Sequence, residues 1–124
     1  MDEHRYTLEV LAPVLIVRQQ GTLADVATMR RMQHAIELQR SSSRAVSVLF
    51  DNRRTGIHDE VVRKAMWSWV LSAGFARVGL LLDSELSVVR ANMDAVARRA
   101  TLRAFSRESE ALAWLRAARP PGEP

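Results

Sequence analysis

Asp51 and Asp83 are the residues from which a reaction could be built. Each follows an apolar run, residues 45–50 and 76–82, of the kind that forms a strand buried on both faces. If those runs are parallel strands, both carboxylates stand at the carboxyl end of an α/β sheet, where ligands bind. Two acids there could hold Mg²⁺ or accept a phosphoryl group. The rest of such a centre is missing. The run 14–17 leads into Arg18-Gln19-Gln20, and the last apolar segment offers Arg103 without a lysine. A hard cation needs several oxygen ligands, and arginine supplies none. The expected roles are therefore structural: Asp51 pairs with Arg53 or Arg54, and Asp83 opens a helix.

The remaining reactive types give less. His4, His34 and His58 show no HxH, HxxxH or HExxH spacing, so no metal site is expected. No GxSxG, phosphate-loop or GxGxxG pattern is present, and Gly79 inside an apolar run suits close helix packing better than phosphate binding. The absence of cysteine excludes disulfides, thiolate ligands and cysteine nucleophiles. The chain is expected to bind no cofactor and not to be an enzyme.

The elements that would position these residues follow from periodicity. Residues 6–11 alternate, with Tyr6, Leu8 and Val10 on one side, and predict a half-buried strand. Ala12-Pro13 breaks it before the apolar run 14–17, which predicts an antiparallel hairpin with Gly21-Thr22 at its end. Thr22 with Asp25 resembles a capping box for a helix to about residue 40, with Val26, Met29, Met32 and Ile36 on one side and Ser41-Ser42-Ser43 as the next loop. Strand 45–50, a loop 51–58 and a helix 59–73 follow. Gly74 stops that helix, and Phe75 supplies the hydrophobic contact after it. Strand 76–82 leads to a third helix over 83–99, whose stripe Leu86, Val89, Met93, Val96 and Ala100 is expected to face the core. A short strand 101–105 and a fourth helix capped by Ser106 close the chain, with Ala111, Trp114, Leu115 and Ala118 inward. Residues 1–119 are expected to form one domain and 120–124 a flexible Pro-rich tail. The order β-β-α-β-α-β-α-β-α predicts a single α/β sandwich: a mixed, mostly parallel five-stranded sheet flanked by helices.

Length and charge bound the rest. The 124 residues suffice for one core. The balance of 18 Lys+Arg against 14 Asp+Glu is basic, but the arginines are spread along the chain, so a nucleic-acid partner is not expected. No apolar run approaches a membrane span, and the polar opening Met1-Asp2-Glu3-His4-Arg5 predicts no secretory leader; the expected compartment is the cytoplasm.

The element order together with Arg103-Ala-Phe105 and the run Ser106-Arg-Glu-Ser-Glu-Ala-Leu-Ala-Trp114-Leu115 resembles the STAS superfamily and its SpoIIAA-like, anti-sigma-factor-antagonist branch. That resemblance implies a bacterial signalling module that regulates a protein partner. In the phosphoregulated members a serine in an Asp-Ser-Ser-Gly type motif is the kinase target. Here residues 51–60 read Asp-Asn-Arg-Arg-Thr-Gly-Ile-His-Asp-Glu, and Thr55 is the one hydroxyl left for that role. The wider resemblance to lipid-carrier folds implies an alternative, a small apolar ligand held between helix and sheet.

The second helix carries the sharpest expectation about an interaction. Its inner stripe is Val62, Ala65, Met66, Trp69 and Ala73; opposite stand Trp67 and Leu71, flanked by Lys64. A tryptophan and a leucine turned from the core suit a protein interface. The expected function is a non-enzymatic regulatory or protein-interaction module, a homodimer among its forms. Its interaction residues are expected to be Lys64, Trp67 and Leu71 with Arg53 and Arg54. The alternatives are the apolar-ligand carrier and a phosphotransfer or metal-dependent enzyme built on Asp51 and Asp83.

Overall fold

A computed structural model describes residues 3–56 and 59–118. His58 and the Pro-rich segment 120–124 lie outside the described residues. The elements are β1 (Arg5–Leu11), β2 (Val14–Thr22), α1 (Val26–Ser43), β3 (Ser47–Gly56), α2 (Glu60–Ser72), β4 (Val78–Leu81), α3 (Glu85–Ala97), β5 (Leu102–Phe105) and α4 (Glu108–Arg116). The five strands lie in sequence order across one sheet. β1 and β2 form the predicted antiparallel hairpin, and every other pairing is parallel.

The alternation of side chains builds two cores. Leu15, Val17, Val48, Phe50 and Val78 face Met29, Met32 and Ile36 of α1 and Val62 of α2. Val14, Ile16, Leu49, Leu81 and Phe105 face Ala111 and Leu115 of α4. The predicted inner stripe of α2 is in place, with Ala65, Met66, Trp69 and Ala73 packed on the first core. Gly79 also behaves as expected. A Cβ there would stand 2.9 Å from Leu115 Cδ1 and 3.1 Å from Leu49 Cδ1, so the absent side chain lets α4 approach β4. Gly74 has φ +78° after α2, and Phe75 is buried beneath the Arg40 guanidinium, 4.0 Å from the ring centroid.

Four expectations change. Residues 51–56 are strand, not loop, because β2 itself runs to Thr22 and offers Gln20, Gly21 and Thr22 as partners for Arg54, Thr55 and Gly56. A bulge between Arg18 and Gln20 absorbs the step. Helix α1 starts from Asp25, whose carboxylate accepts from Thr28 N, and continues through Ser43, so the serine run is helical. Ser106 does not cap α4; its hydroxyl donates to Glu85, and Arg107 holds the cap position without a side-chain bond.

The fourth change is the largest. The stripe on α3 faces outward: Leu86 is 60% exposed, Val89 53%, Met93 67% and Val96 78%. The helix lies on its opposite side, through buried Ala95 and the amide of Asn92. Asn92 Oδ1 accepts from Ala104 N at 2.7 Å and its Nδ2 donates to Ala104 O at 3.3 Å. That pair satisfies a peptide of the edge strand β5. Small residues and one amide, not the large apolar ones, set how α3 docks.

Candidate functional site

Two surfaces carry the residues that could act. One is at the ends of β2 and β3. Thr7, Arg18 and Asp51 form one cross-strand row, and Arg5, Gln20 and Arg54 the next. Both rows point to the α4 side of the sheet, as Val14, Ile16 and Leu49 do further along the same strands. α4 begins beside this end of the sheet and brings Glu108 against Arg18.

Asp51 is held by two guanidiniums. Arg53 Nε and Nη2 each donate to it at 2.9 Å, one to each carboxylate oxygen, and the Arg53 backbone N–H adds a contact at 3.3 Å. Arg18 Nη1 donates to Asp51 Oδ2 at 3.0 Å and to Glu108 Oε1 at 2.6 Å, while its Nη2 reaches Glu108 Oε2 at 3.3 Å. Arg18 Nε lies 3.4 Å from Glu9. Burial pushes the Asp51 carboxyl up, but the bonds from Arg53 and Arg18 together outweigh it and hold the group below its usual range. The hydrogen bonds from Arg18 hold Glu108 low in the same way, and Glu108 and Asp51 hold the two arginines charged.

Chemically this is a clamp. Both oxygens of Asp51 are occupied, and the group is ionised and neutralised, so it joins β2, β3 and α4. Of the two partners expected for it, Arg53 and Arg54, the first is the one in place; Arg18 and Glu108 are additions from distant chain positions. Asp83 is exposed, and Ser84 rather than Asp83 caps α3, accepting from Ser87 N. Asp83 stands two residues beyond Leu81, the register partner of Asp51. Among the described residues no group of three His, Asp or Glu side chains is placed to hold a metal. Thr55 Oγ1 donates to Gly21 O at 2.6 Å from within the paired strand.

Next to the clamp runs a polar relay. His4 Nε2 meets Gln19 Oε1 at 2.8 Å, and Gln19 Nε2 donates to Asn52 Oδ1 at 2.6 Å. The direction of the second bond makes His4 Nε2 the donor in the first. An open cleft of about 750 Å³ is lined by His4, Tyr6, Gln19 and the arginines 5, 18, 53 and 54.

The second surface is apolar. Leu71 on α2 is 47% exposed, as its position opposite the inner stripe predicts. Trp67 is half-buried, its ring under the Arg98 guanidinium at 4.8 Å. Lys64 is exposed on the same helix. Arg98, just past α3, brings that end of the helix against Trp67 of α2. Leu86, Val89, Met93 and Val96 of α3 are the interface candidates that sequence reasoning placed inside. The signal that would have found them is the second face of α3, where Ala91, Asn92 and Ala95 are small or polar enough to lie flat on a strand. Between the helices and the sheet, a notch of about 130 Å³ is lined by Val70, Leu71, Val78 and residues 99–102. That falls below the roughly 300 Å³ of an ordinary small-molecule site. No helix among the described residues is long and apolar enough to cross a membrane.

The sheet order, the single antiparallel hairpin and the closing helix on the opposite face define the SpoIIAA-like fold. Solved structures agree. An uncharacterized protein of the DUF3478 family with a SpoIIAA-like fold, from Shewanella loihica PV-4, matches with a TM-score of 0.71 at 17% identity, over 93% of this chain and 95% of that one. An anti-sigma factor antagonist from Mycobacterium paratuberculosis matches with a TM-score of 0.63 at 17% identity, over 93% and 96%. The anti-sigma factor antagonist SpoIIAA in its unphosphorylated form matches with a TM-score of 0.57 at 19% identity, over 91% and 99%. Neither a protein-family model nor a curated protein sequence matches the chain. The chain therefore has the SpoIIAA-like fold, the fold of these anti-sigma factor antagonists.

Proposed function

We propose that this chain is a non-enzymatic regulatory module that works by binding a protein through the α2–α3 face. The observation that carries the reading is the outward apolar row on α3. Four large side chains at helical spacing, each more than half exposed, form a continuous stripe where single exposed residues would be ordinary. Leu71, half-buried Trp67 and exposed Lys64 lie on the adjacent helix α2. The fold it sits on is shared with proteins described as anti-sigma factor antagonists, which supports a regulatory role.

The other expected residues take different parts. Arg53 is committed to Asp51 and is a clamp residue, and Arg54 borders the cleft at the carboxyl end of β3. Phosphorylation of Thr55 would require breaking its bond to Gly21 inside a parallel pair, so the proposed module does not use it. Asp51 has no free oxygen for a metal or a phosphoryl group, which favours the binding module over the enzyme.

The test is a photo-crosslinker placed at Met93, with one at Leu38, 60% exposed on α1, as control. The proposal expects a discrete protein adduct from position 93, weakened by Val89→Arg, and little from position 38. An adduct of doubled mass would identify the partner as a second copy. No protein adduct at 93 above that at 38 would overturn the reading, and labelling of small apolar molecules alone would favour the carrier.

A further inference from the structure

We infer that the cleft between β1 and the end of β3 is a binding site for a small molecule bearing a phosphate group, read out by Arg5 and Arg54. The two arginines share one cross-strand row, on either side of Gln20. Their strands are two steps apart, about 10 Å, which places one on each side of a small anion. Both line the main cleft of about 750 Å³ and a smaller adjoining concavity of about 450 Å³. The main volume lies within the roughly 300–1,000 Å³ of small-molecule sites.

Charge selects the ligand. Arg18 and Arg53 also line the cleft but are neutralised by Asp51 and Glu108. The side chains of Arg5 and Arg54 are exposed and make no hydrogen bond or ion pair among the described residues. Glu3 borders the smaller concavity and pairs with neither. With Arg18 and Arg53 committed to Asp51 and Glu108, the guanidiniums of Arg5 and Arg54 stand against the one carboxylate of Glu3, a surplus of one positive charge. A phosphate monoester presents three terminal oxygens, enough to take a guanidinium fork from each side, where a monocarboxylate presents two. The guanidinium fork suits its oxygens bidentately. Gln20 supplies a neutral donor between the forks, and the clamp on Asp51 keeps that carboxylate from competing for Arg5 and Arg54. The site stands independently of the α2–α3 face, since it lies at β1–β3 and not beside β5.

The experiment titrates the full chain with inorganic phosphate at fixed ionic strength and follows backbone amide and arginine Nε resonances by NMR. Saturable shifts are expected at Arg5, Gln20 and Arg54, with acetate binding more weakly. In R5Q/R54Q the apparent Kd should rise about tenfold or more, the loss of charged hydrogen bonds, with the melting temperature unchanged. R54K, which keeps the charge and loses the fork, should fall between. Non-saturating shifts, shifts as large at the exposed Arg30 and Arg31 of α1, or phosphate binding undiminished in R5Q/R54Q would overturn the site.

Discussion

Asp51 shows what one buried carboxylate does in this fold. It is 8% exposed, and its two partners are more than a third exposed, so water screens much of their attraction. Asp51→Asn is expected to lower stability by about 1–2 kcal/mol at pH 7. The pH dependence has a definite sign. The folded carboxyl titrates below its ordinary value of 3.8, so its stabilisation is present above that value and is lost as pH falls through the lower folded one. Urea melts should show a wild-type to Asp51→Asn gap that holds at pH 7 and narrows below about pH 4. A gap that widened on acidification would contradict the clamp. Arg53 was legible as a partner because it lies two residues away on the same strand. Arg18 and Glu108 were not: they sit 33 residues before and 57 after, and only the register of β2 on β3 and the docking of α4 unite them. Trp114 is a second residue that changes with the structure. It is half-buried, tilted against Phe105 at 5.7 Å and covered by Arg77 at 4.8 Å. Trp114→Ala is expected to cost about 2 kcal/mol in a urea melt, less than the 3–5 of a fully buried aromatic.

Helix α3 carries the account at the scale of elements. If Asn92 and Ala95 dock it, truncating the amide should matter more than changing any large apolar residue. Asn92→Ala is expected to cost about 1–3 kcal/mol, because Ala104 N–H and C=O lose their partners at the sheet edge. Met93→Glu and Val89→Arg are expected to stay within about 0.5 kcal/mol of wild type. Thermal melts of the three variants would decide it, and a large loss in Met93→Glu would place the stripe back in a core. Periodicity found the stripe on α3 but not its direction. A hydrophobic stripe says that one face wants to leave water; it does not say whether the sheet or a partner covers it. On α2 the same reasoning gave the right face, and Ala65, Met66, Trp69 and Ala73 pack on the first core. Strand β3 was cut short for a related reason. Asp51-Asn-Arg-Arg is polar on both faces and carries no alternating signal, and it is strand only because β2 lies beside it.

At the scale of the whole molecule, the order of elements fixed most of the architecture. Alternating apolar runs and helices, right-handed crossovers and one Pro-broken hairpin leave few arrangements, and the observed sheet is the simplest of them. That sheet separates two surfaces. The basic cleft opens at β1–β3, while the apolar face lies over α2 and α3 toward β5. The proposed partner surface and the proposed ligand cleft therefore do not overlap. Methionine oxidation tests the partner surface most directly, because the chain carries its own internal standards. Met93 is 67% exposed, whereas Met29 is 1% and Met32 0% exposed. Radical footprinting of the purified chain should oxidise Met93 quickly and leave Met29 and Met32 intact. In cells that make the protein, the α3 reading predicts that Met93 oxidation slows several-fold while Met29 and Met32 remain as they were. Met93 oxidised as fast in the cell as in the purified chain would contradict it.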